Sequence, residues 1–185
     1  MKKIAIIGST GSIGRQTLNV IRRHPELFEV VSLASGSNAS LLLEQISEFK
    51  PKIATSNVEI GKNEIPKDVD FYSGEDAFLS AICNDADIVV VALVGFLGIK
   101  AVLKAINMGK DVALANKESL VVGGETVISL AKEKGVKILP IDSEHSAVWQ
   151  ALSFDFNTPF NKIILTASGG AFRDLPLKKL NKVLL

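Results

Sequence analysis

The stretch Ile4-Ala5-Ile6-Ile7-Gly8-Ser9-Thr10-Gly11-Ser12-Ile13-Gly14-Arg15 decides how the rest of the chain is read. A short apolar run passes without polar alternation into a turn holding three glycines, and the turn opens onto a helical pattern over Gly14–Arg23. An unbroken apolar run suits a strand covered on both faces, as in a parallel sheet. The glycines are spaced G-x-x-G-x-x-G, with Ser9 where the G-x-G-x-x-G fingerprint has its first glycine. The physical demands are the same. One glycine permits a tight turn, another lets backbone approach a pyrophosphate, and the last lets helix and strand pack closely. The N–H groups at the helix start, carrying partial positive charge, then face the phosphates. A glycine-rich turn with no nucleotide is the plainer alternative. The turn's place directly after the first strand, with strand–helix repeats following, favours a cofactor.

Working outward, β-branched runs at Ile4–Ile7, Val30–Ala34, Lys52–Ala54, Ile88–Leu93, Asp111–Leu114, Val136–Ile141 and Lys162–Thr166 predict strands. Helical spacing is found over Gly14–Arg23, Ser40–Lys50, Gly74–Ile82, Gly98–Asn107, Gly124–Lys134 and Ser146–Ser153, with Gly109 and Gly135 where C-terminal caps belong. This alternation predicts an α/β fold with a doubly wound parallel sheet and right-handed crossovers. Asn57–Tyr72, polar and carrying Pro66, reads as a surface excursion. After the last strand come Ser-Gly-Gly, Arg173-Asp174-Leu175-Pro176 and a short lysine-rich helix. An α/β sheet seldom finishes on such a stub, so the chain is expected to be the front part of something longer.

Composition narrows the function classes. The 185 residues are 47% hydrophobic and 22% charged, close to a globular average. Lys+Arg 21 against Asp+Glu 20 leaves no basic field for nucleic acid or an acidic membrane. Cys83 is the one cysteine, which excludes an intrachain disulfide and a cysteine-based zinc cluster. The apolar stretch Ile88–Leu97 is far below the roughly 20 residues a membrane helix needs. A cytoplasmic protein is expected.

The strand ends carry the chemistry. Beyond the second strand lies Leu33-Ala-Ser-Gly36-Ser37-Asn38, with no carboxylate to hold a ribose 2′-hydroxyl or repel a 2′-phosphate. That favours NADP over NAD, although the same residues would serve as a polar turn and helix cap. Asn116-Lys117-Glu118 follows another strand: the lysine suits a substrate oxygen and the asparagine a cofactor amide or ribose, whereas a solvated ion pair is the bland reading. Asp142-Ser143-Glu144 ends the next. If the strand runs through them, both carboxylates project to one side and call for a hard divalent cation such as Mg²⁺ or Mn²⁺. The plainer alternative is an N-cap, since Asp, Ser and Glu all favour the first turn of the helix expected to begin near Ser146. His145 reads as an orienting or structural residue, and Trp149 with Phe154 as core. Ser168-Gly169-Gly170 forms either an anion-binding concavity for a phosphate monoester or a bare tight turn.

Taken together, Gly-Ser-Thr-Gly-Ser-Ile-Gly (8–14), Ala-Asn-Lys-Glu-Ser (115–119), Pro-Ile-Asp-Ser-Glu-His-Ser-Ala (140–147) and Leu-Thr-Ala-Ser-Gly-Gly (165–170) closely resemble the 1-deoxy-D-xylulose 5-phosphate reductoisomerase family. The resemblance runs from residue 1 to about Pro176. It implies NADPH and a divalent cation as cofactors, a sugar-phosphate substrate, the product 2-C-methyl-D-erythritol 4-phosphate of non-mevalonate isoprenoid synthesis, and a homodimer. Residues 1–141 would form a Rossmann-like NADPH-binding domain, and 142–185 the start of an α+β catalytic domain.

Position by position, the resemblance makes Gly8, Thr10, Gly11, Ser12, Ile13 and Gly14 the pyrophosphate turn. Gly36 and Asn38 become the 2′-phosphate region, with Ser37 where many members carry lysine. Asn116 and Glu118 are implied to contact cofactor, and Lys117 to contact substrate. Asp142 and Glu144 are implied as metal carboxylates, Ser143 and Glu144 as touching substrate oxygens, and Ser168 as touching the phosphate end. Members run to about twice this length and carry a lid, a phosphate clamp and a third metal carboxylate further on, so this chain alone is expected to bind NADPH but turn over little substrate. Another NADP-dependent dehydrogenase of homoserine or semialdehyde type, or a non-catalytic nucleotide-binding module, are the competing expectations.

Overall fold

β1 (Lys2–Ile7) forms the middle of the sheet, and the chain winds outward from it first on one side and then on the other. The computed structural model describes residues 1–155, 157–164 and 174–180. From β1 the chain passes through α1 (Ser12–Arg23) to β2 (Phe28–Ala34), then α2 (Ala39–Phe49) to β3 (Ile53–Ser56) and the edge strand β4 (Asp70–Ser73). A 3-10 turn over Ala77–Ala81 returns it across the sheet to β5 (Ile88–Val91), beside β1. The second half adds α3 (Leu97–Asn107), β6 (Asp111–Leu114), α4 (Glu118–Lys134), β7 (Ile138–Pro140), α5 (Ser143–Ala151) and the single-turn α6 (Leu177–Leu180). The strand order is β4-β3-β2-β1-β5-β6-β7 and every pairing is parallel. The winding therefore reverses between β1 and β5.

Alternation along β1 divides the core. Ile4 and Ile6 join Leu18, Ile21, Leu42 and Ile46 of α1 and α2 on one face. Ala5 and Ile7 join Val102, Ile106, Val127 and Ala131 of α3 and α4 on the other. Both faces of the central strands are dry, which is why those strands read as continuous apolar runs. No helix among the described residues is long and apolar enough to cross a membrane.

Several local expectations shift. Asp70–Ser73, inside and just past the expected surface excursion, pairs with β3 as an edge strand with alternating exposure. Four residues with one wet face carry too weak a pattern to stand out from their polar flank. The helix expected over Gly74–Ile82 is a 3-10 turn over Ala77–Ala81. α4 starts at Glu118, six residues before the expected Gly124, and bends at Gly123 (φ −125°, ψ 19°), where an added Cβ would lie 2.6 Å from Cδ1 of Ile99. Of the strand expected over Lys162–Thr166, residues 162–164 are irregular and the remainder lies outside the described residues. Trp149 and Phe154 do meet edge to face at 5.1 Å, but Phe154 is 63% exposed, so the pair is no part of the core.

Candidate active site

Parallel strands all end on the same rim, and the reversal between β1 and β5 opens a crevice there. Gly8, directly after β1, adopts φ +97°, and a Cβ at that position would lie 2.6 Å from the carbonyl oxygen of Ala92 at the end of β5. Its lack of a side chain lets the two strand ends approach. Gly14, in the first turn of α1, packs so closely on the preceding turn that a Cβ would lie 2.6 Å from Cα and 2.8 Å from C of Ser9, and closer still to the Gly8 carbonyl oxygen. The turn between them is fastened from below: the amides of Gly8 and Ser9 both donate to the carbonyl of Ala34, at 2.9 and 2.8 Å. Gly11 N–H donates to Gly8 O at 3.1 Å.

The amides of Thr10, Ser12 and Ile13 donate to no partner among the described residues, and α1 has neither a side-chain N-cap nor an acidic residue in its first turn. A helix start with unsatisfied N–H groups and no compensating carboxylate is an anion cradle.

The end of β2 adjoins this cradle. The hydroxyls of Thr10 and Ser35 are 2.9 Å apart, tying the turn to the strand. Gly36 has open space where a Cβ would stand, and Ser37 and Asn38 are exposed. Asn38 also caps α2, its Oδ1 accepting from the amide of Leu41 at 3.1 Å, and its Nδ2 carries no hydrogen bond among the described residues. The cap and the open polar edge are therefore properties of one residue.

Beyond β6, Asn116 is turned inward and 1% exposed. Its Nδ2 donates at 3.0 Å to the carbonyls of Leu93 and Gly95 and to Oε2 of Glu118, while its Oδ1 accepts from the amide of Ser119 at 3.0 Å and from that residue's hydroxyl. Asn116 thus clamps the loop after β5 to the start of α4. Direct contact with a cofactor would require some of these bonds to be exchanged. Gly98 makes the clamp possible, since a Cβ there would overlap the Asn116 amide. Gly98 escaped the sequence reading, although a glycine in the first turn of an otherwise regular helix was the available signal.

Lys117 and Glu118, by contrast, are exposed. Lys117 reaches across to the next strand end and donates to Oε2 of Glu144 at 2.7 Å, and the Ser143 hydroxyl donates to the same oxygen at 2.6 Å. These two hydrogen bonds, the Lys117 one foremost, hold the Glu144 carboxyl down at about 2. The same contact raises Lys117.

β7 stops at Pro140, so the expectation that a strand carries Asp142 and Glu144 to one side does not hold. Asp142 is instead the N-cap of α5, its Oδ1 accepting from the amide of His145 at 2.9 Å and its Oδ2 lying 2.7 Å from Nδ1 of the same histidine. Glu144 is in the first turn of that helix. The helix-start alternative is the one realised, and it still presents both acids at the rim where Lys117 stands. Among the described residues no cluster of three or more metal-ligating side chains exists. Two carboxylates and a hydroxyl are hard oxygen donors, a set that fits a magnesium-type ion completing its shell with substrate or water oxygens.

One cleft of about 570 Å³ is lined by Ile13 and Gln16 of α1, by Lys117, and by Asp142, Ser143, Ala147 and Gln150 at and along α5. Ser168 lies outside the described residues.

Residues 4–124 match the family model of 1-deoxy-D-xylulose 5-phosphate reductoisomerase, and residues 138–185 match the model of that enzyme's C-terminal domain. The reductoisomerase of Microcystis aeruginosa is 47% identical over 191 aligned positions, covering 99% of this chain and 49% of its own length. The solved structure of the enzyme from Zymomonas mobilis in complex with NADPH superposes with a TM-score of 0.84 at 36% identity, covering 98% of this chain and 49% of that one. A reductoisomerase in complex with NADPH, fosmidomycin and magnesium superposes at 0.82, also at 36% identity, covering 99% and 49%. The chain spans about half the length of the curated relatives it matches. On sequence and on fold alike, it belongs to the 1-deoxy-D-xylulose 5-phosphate reductoisomerase family.

Proposed function

We propose that this chain contributes the NADPH site and the first metal- and substrate-binding residues of an enzyme that converts 1-deoxy-D-xylulose 5-phosphate to 2-C-methyl-D-erythritol 4-phosphate. The observation that carries the reading is the single rim. The unpaired amides of Thr10, Ser12 and Ile13, the Lys117–Glu144 pair and the Asp142 carboxylate stand at the same strand-end rim, and Ile13, Lys117 and Asp142 line one cleft, so a nucleotide and a sugar phosphate can meet there.

In this reading Thr10, Gly11, Ser12 and Ile13 hold the pyrophosphate, with Gly8 and Gly14 giving the turn its shape. Gly36 and Asn38 border the adenosine 2′-phosphate at the acid-free end of β2, which selects NADPH over NADH. Asn116 and Glu118 shape the nicotinamide side of the crevice. Asp142 and Glu144 hold a divalent cation, Ser143 and Glu144 meet substrate oxygens, and Ser168 meets the phosphate end. When bound, the cation supplies Lewis-acid stabilisation of substrate oxyanions, and NADPH supplies the hydride that reduces the rearranged aldehyde.

Lys117 stands ready to neutralise a substrate oxygen once Glu144 has another cationic partner. Residues 1–141 form the nucleotide-binding unit and 142–185 the beginning of the catalytic one. On the family resemblance the enzyme works in the cytoplasm as a homodimer.

Calorimetric titration with NADPH and NADH tests the nucleotide half, the expected result being preferential binding of NADPH. Asp142→Ala and Glu144→Ala are expected to keep that affinity and to weaken Mn²⁺ binding, read by the spin-resonance signal of the free ion. Equal affinity for both nucleotides, or loss of NADPH binding in the carboxylate variants, would overturn the division of labour.

A further inference from the structure

α2 buries Leu42, Gln45 and Ile46 against the sheet, and the middle one is an amide where the packing calls for a hydrocarbon. Gln45 is 4% exposed. Its Nε2 donates to the backbone carbonyl of Ser9 at 3.0 Å, while its Oε1 and the nearby Ser9 hydroxyl have no partner among the described residues. A buried amide left half satisfied costs stability that an apolar residue would not. Something other than packing has to account for it.

The bonded atom supplies that account. The Ser9–Thr10 peptide is trans and planar, so the Ser9 C=O and the Thr10 N–H point in opposite directions. A carbonyl held inward by Gln45 turns the Thr10 amide outward, and that amide is one of those without a partner in the anion cradle. The bonds from Gly8 and Ser9 to Ala34 O and from Gly11 to Gly8 O fix the flanking amides, but none of them is made by the Ser9 C=O or the Thr10 N–H. The hydroxyl contact between Thr10 and Ser35 holds only a side chain.

Resting on the NADPH reading above, we infer that Gln45 is a positioning residue: its carboxamide sets the Ser9–Thr10 peptide plane and so aims the Thr10 N–H at the pyrophosphate. Gln45→Met keeps the volume and flexibility of the side chain and removes both the donor and the unpaired oxygen. Its melting temperature is expected to equal or exceed that of the unaltered protein, while its NADPH dissociation constant rises about five- to tenfold, the loss of one well-aimed hydrogen bond. Adenosine 2′-monophosphate, which lacks the pyrophosphate, is expected to bind both proteins equally. Gln45→Glu, which sets an acceptor against the Ser9 carbonyl, is expected to weaken NADPH further.

A folded Gln45→Met protein with unchanged NADPH affinity would overturn the inference. So would an equal loss for both ligands, since that marks general distortion. If the unaltered protein fails to bind NADPH, the cofactor reading itself falls.

Discussion

The sharpest test of the phosphate turn is the smallest substitution, Gly14→Ala. Added to an ordinary helix interior, that methyl group stabilises by about 0.8–1.0 kcal/mol, because alanine loses less backbone freedom than glycine. At Gly14 it would lie 2.6 Å from Cα and 2.8 Å from C of Ser9, against an optimal carbon–carbon separation of roughly 3.5–4.0 Å. The obstructing atoms are backbone, so no rotamer change relieves the overlap. α1 must back away from the turn by about 1 Å. Overpacking of this kind costs about 1–3 kcal/mol and exceeds the propensity gain.

The expected net loss, up to about 2 kcal/mol, corresponds to a fall of up to roughly 8 °C in melting temperature for a chain of this size. NADPH binding is expected to weaken more than stability does, because the displaced atoms are those of the cradle itself. Gly124→Ala in α4 is the internal control. It has a helical conformation and open space at its Cβ, so it is expected to gain up to about 1 kcal/mol. Thermal denaturation followed by circular dichroism, with NADPH calorimetry, reads both. A Gly14→Ala protein that melts and binds like the unaltered one would refute the close approach on which the site is built.

Two more predictions concern charge and burial. Glu144 is held at about 2, below its ordinary 4.5, so its pairing with Lys117 and Ser143 is intact above about 4.5 and is lost as the pH falls toward about 2. Lys117→Met removes the larger cause, so an NMR titration of the Glu144 side chain is expected to move toward 4.5; an unmoved midpoint would contradict the contact. Ser32, fully buried in β2, donates its hydroxyl to the carbonyl of Ala81 in the 3-10 turn. Ser32→Ala leaves that carbonyl without the bond and is expected to cost about 1–3 kcal/mol in urea unfolding, a value near zero arguing against the contact.

How far the sequence could be read follows from the range of each signal. The buried strands and amphipathic helices announced themselves because their apolar spacing is a local property, and the glycine turn because Gly8 and Gly14 are demanded within seven residues of each other. Four motifs in order were enough to point to the family. The edge strand Asp70–Ser73 was not legible, because it is a strand only by virtue of pairing with β3. For Asp142 and Glu144 the residues left strand and helix start equally open. The end of β7 at Pro140 chose the helix, and the pair still reached the rim through α5.

Asn116 reads locally as a ligand-facing residue, yet its bonds run to Leu93 and Gly95, more than twenty positions away. Gln45 reads as an interruption in an apolar face until Ser9, thirty-six residues earlier, is brought against it. The chain by itself determined its alternating elements, its phosphate turn and its kinship, because those depend on neighbours a turn or a strand away. Only the tertiary structure decided which polar groups confront one another across the crevice, because hydrogen bonds and ion pairs act over about 3 Å and the residues that make them are distant in sequence.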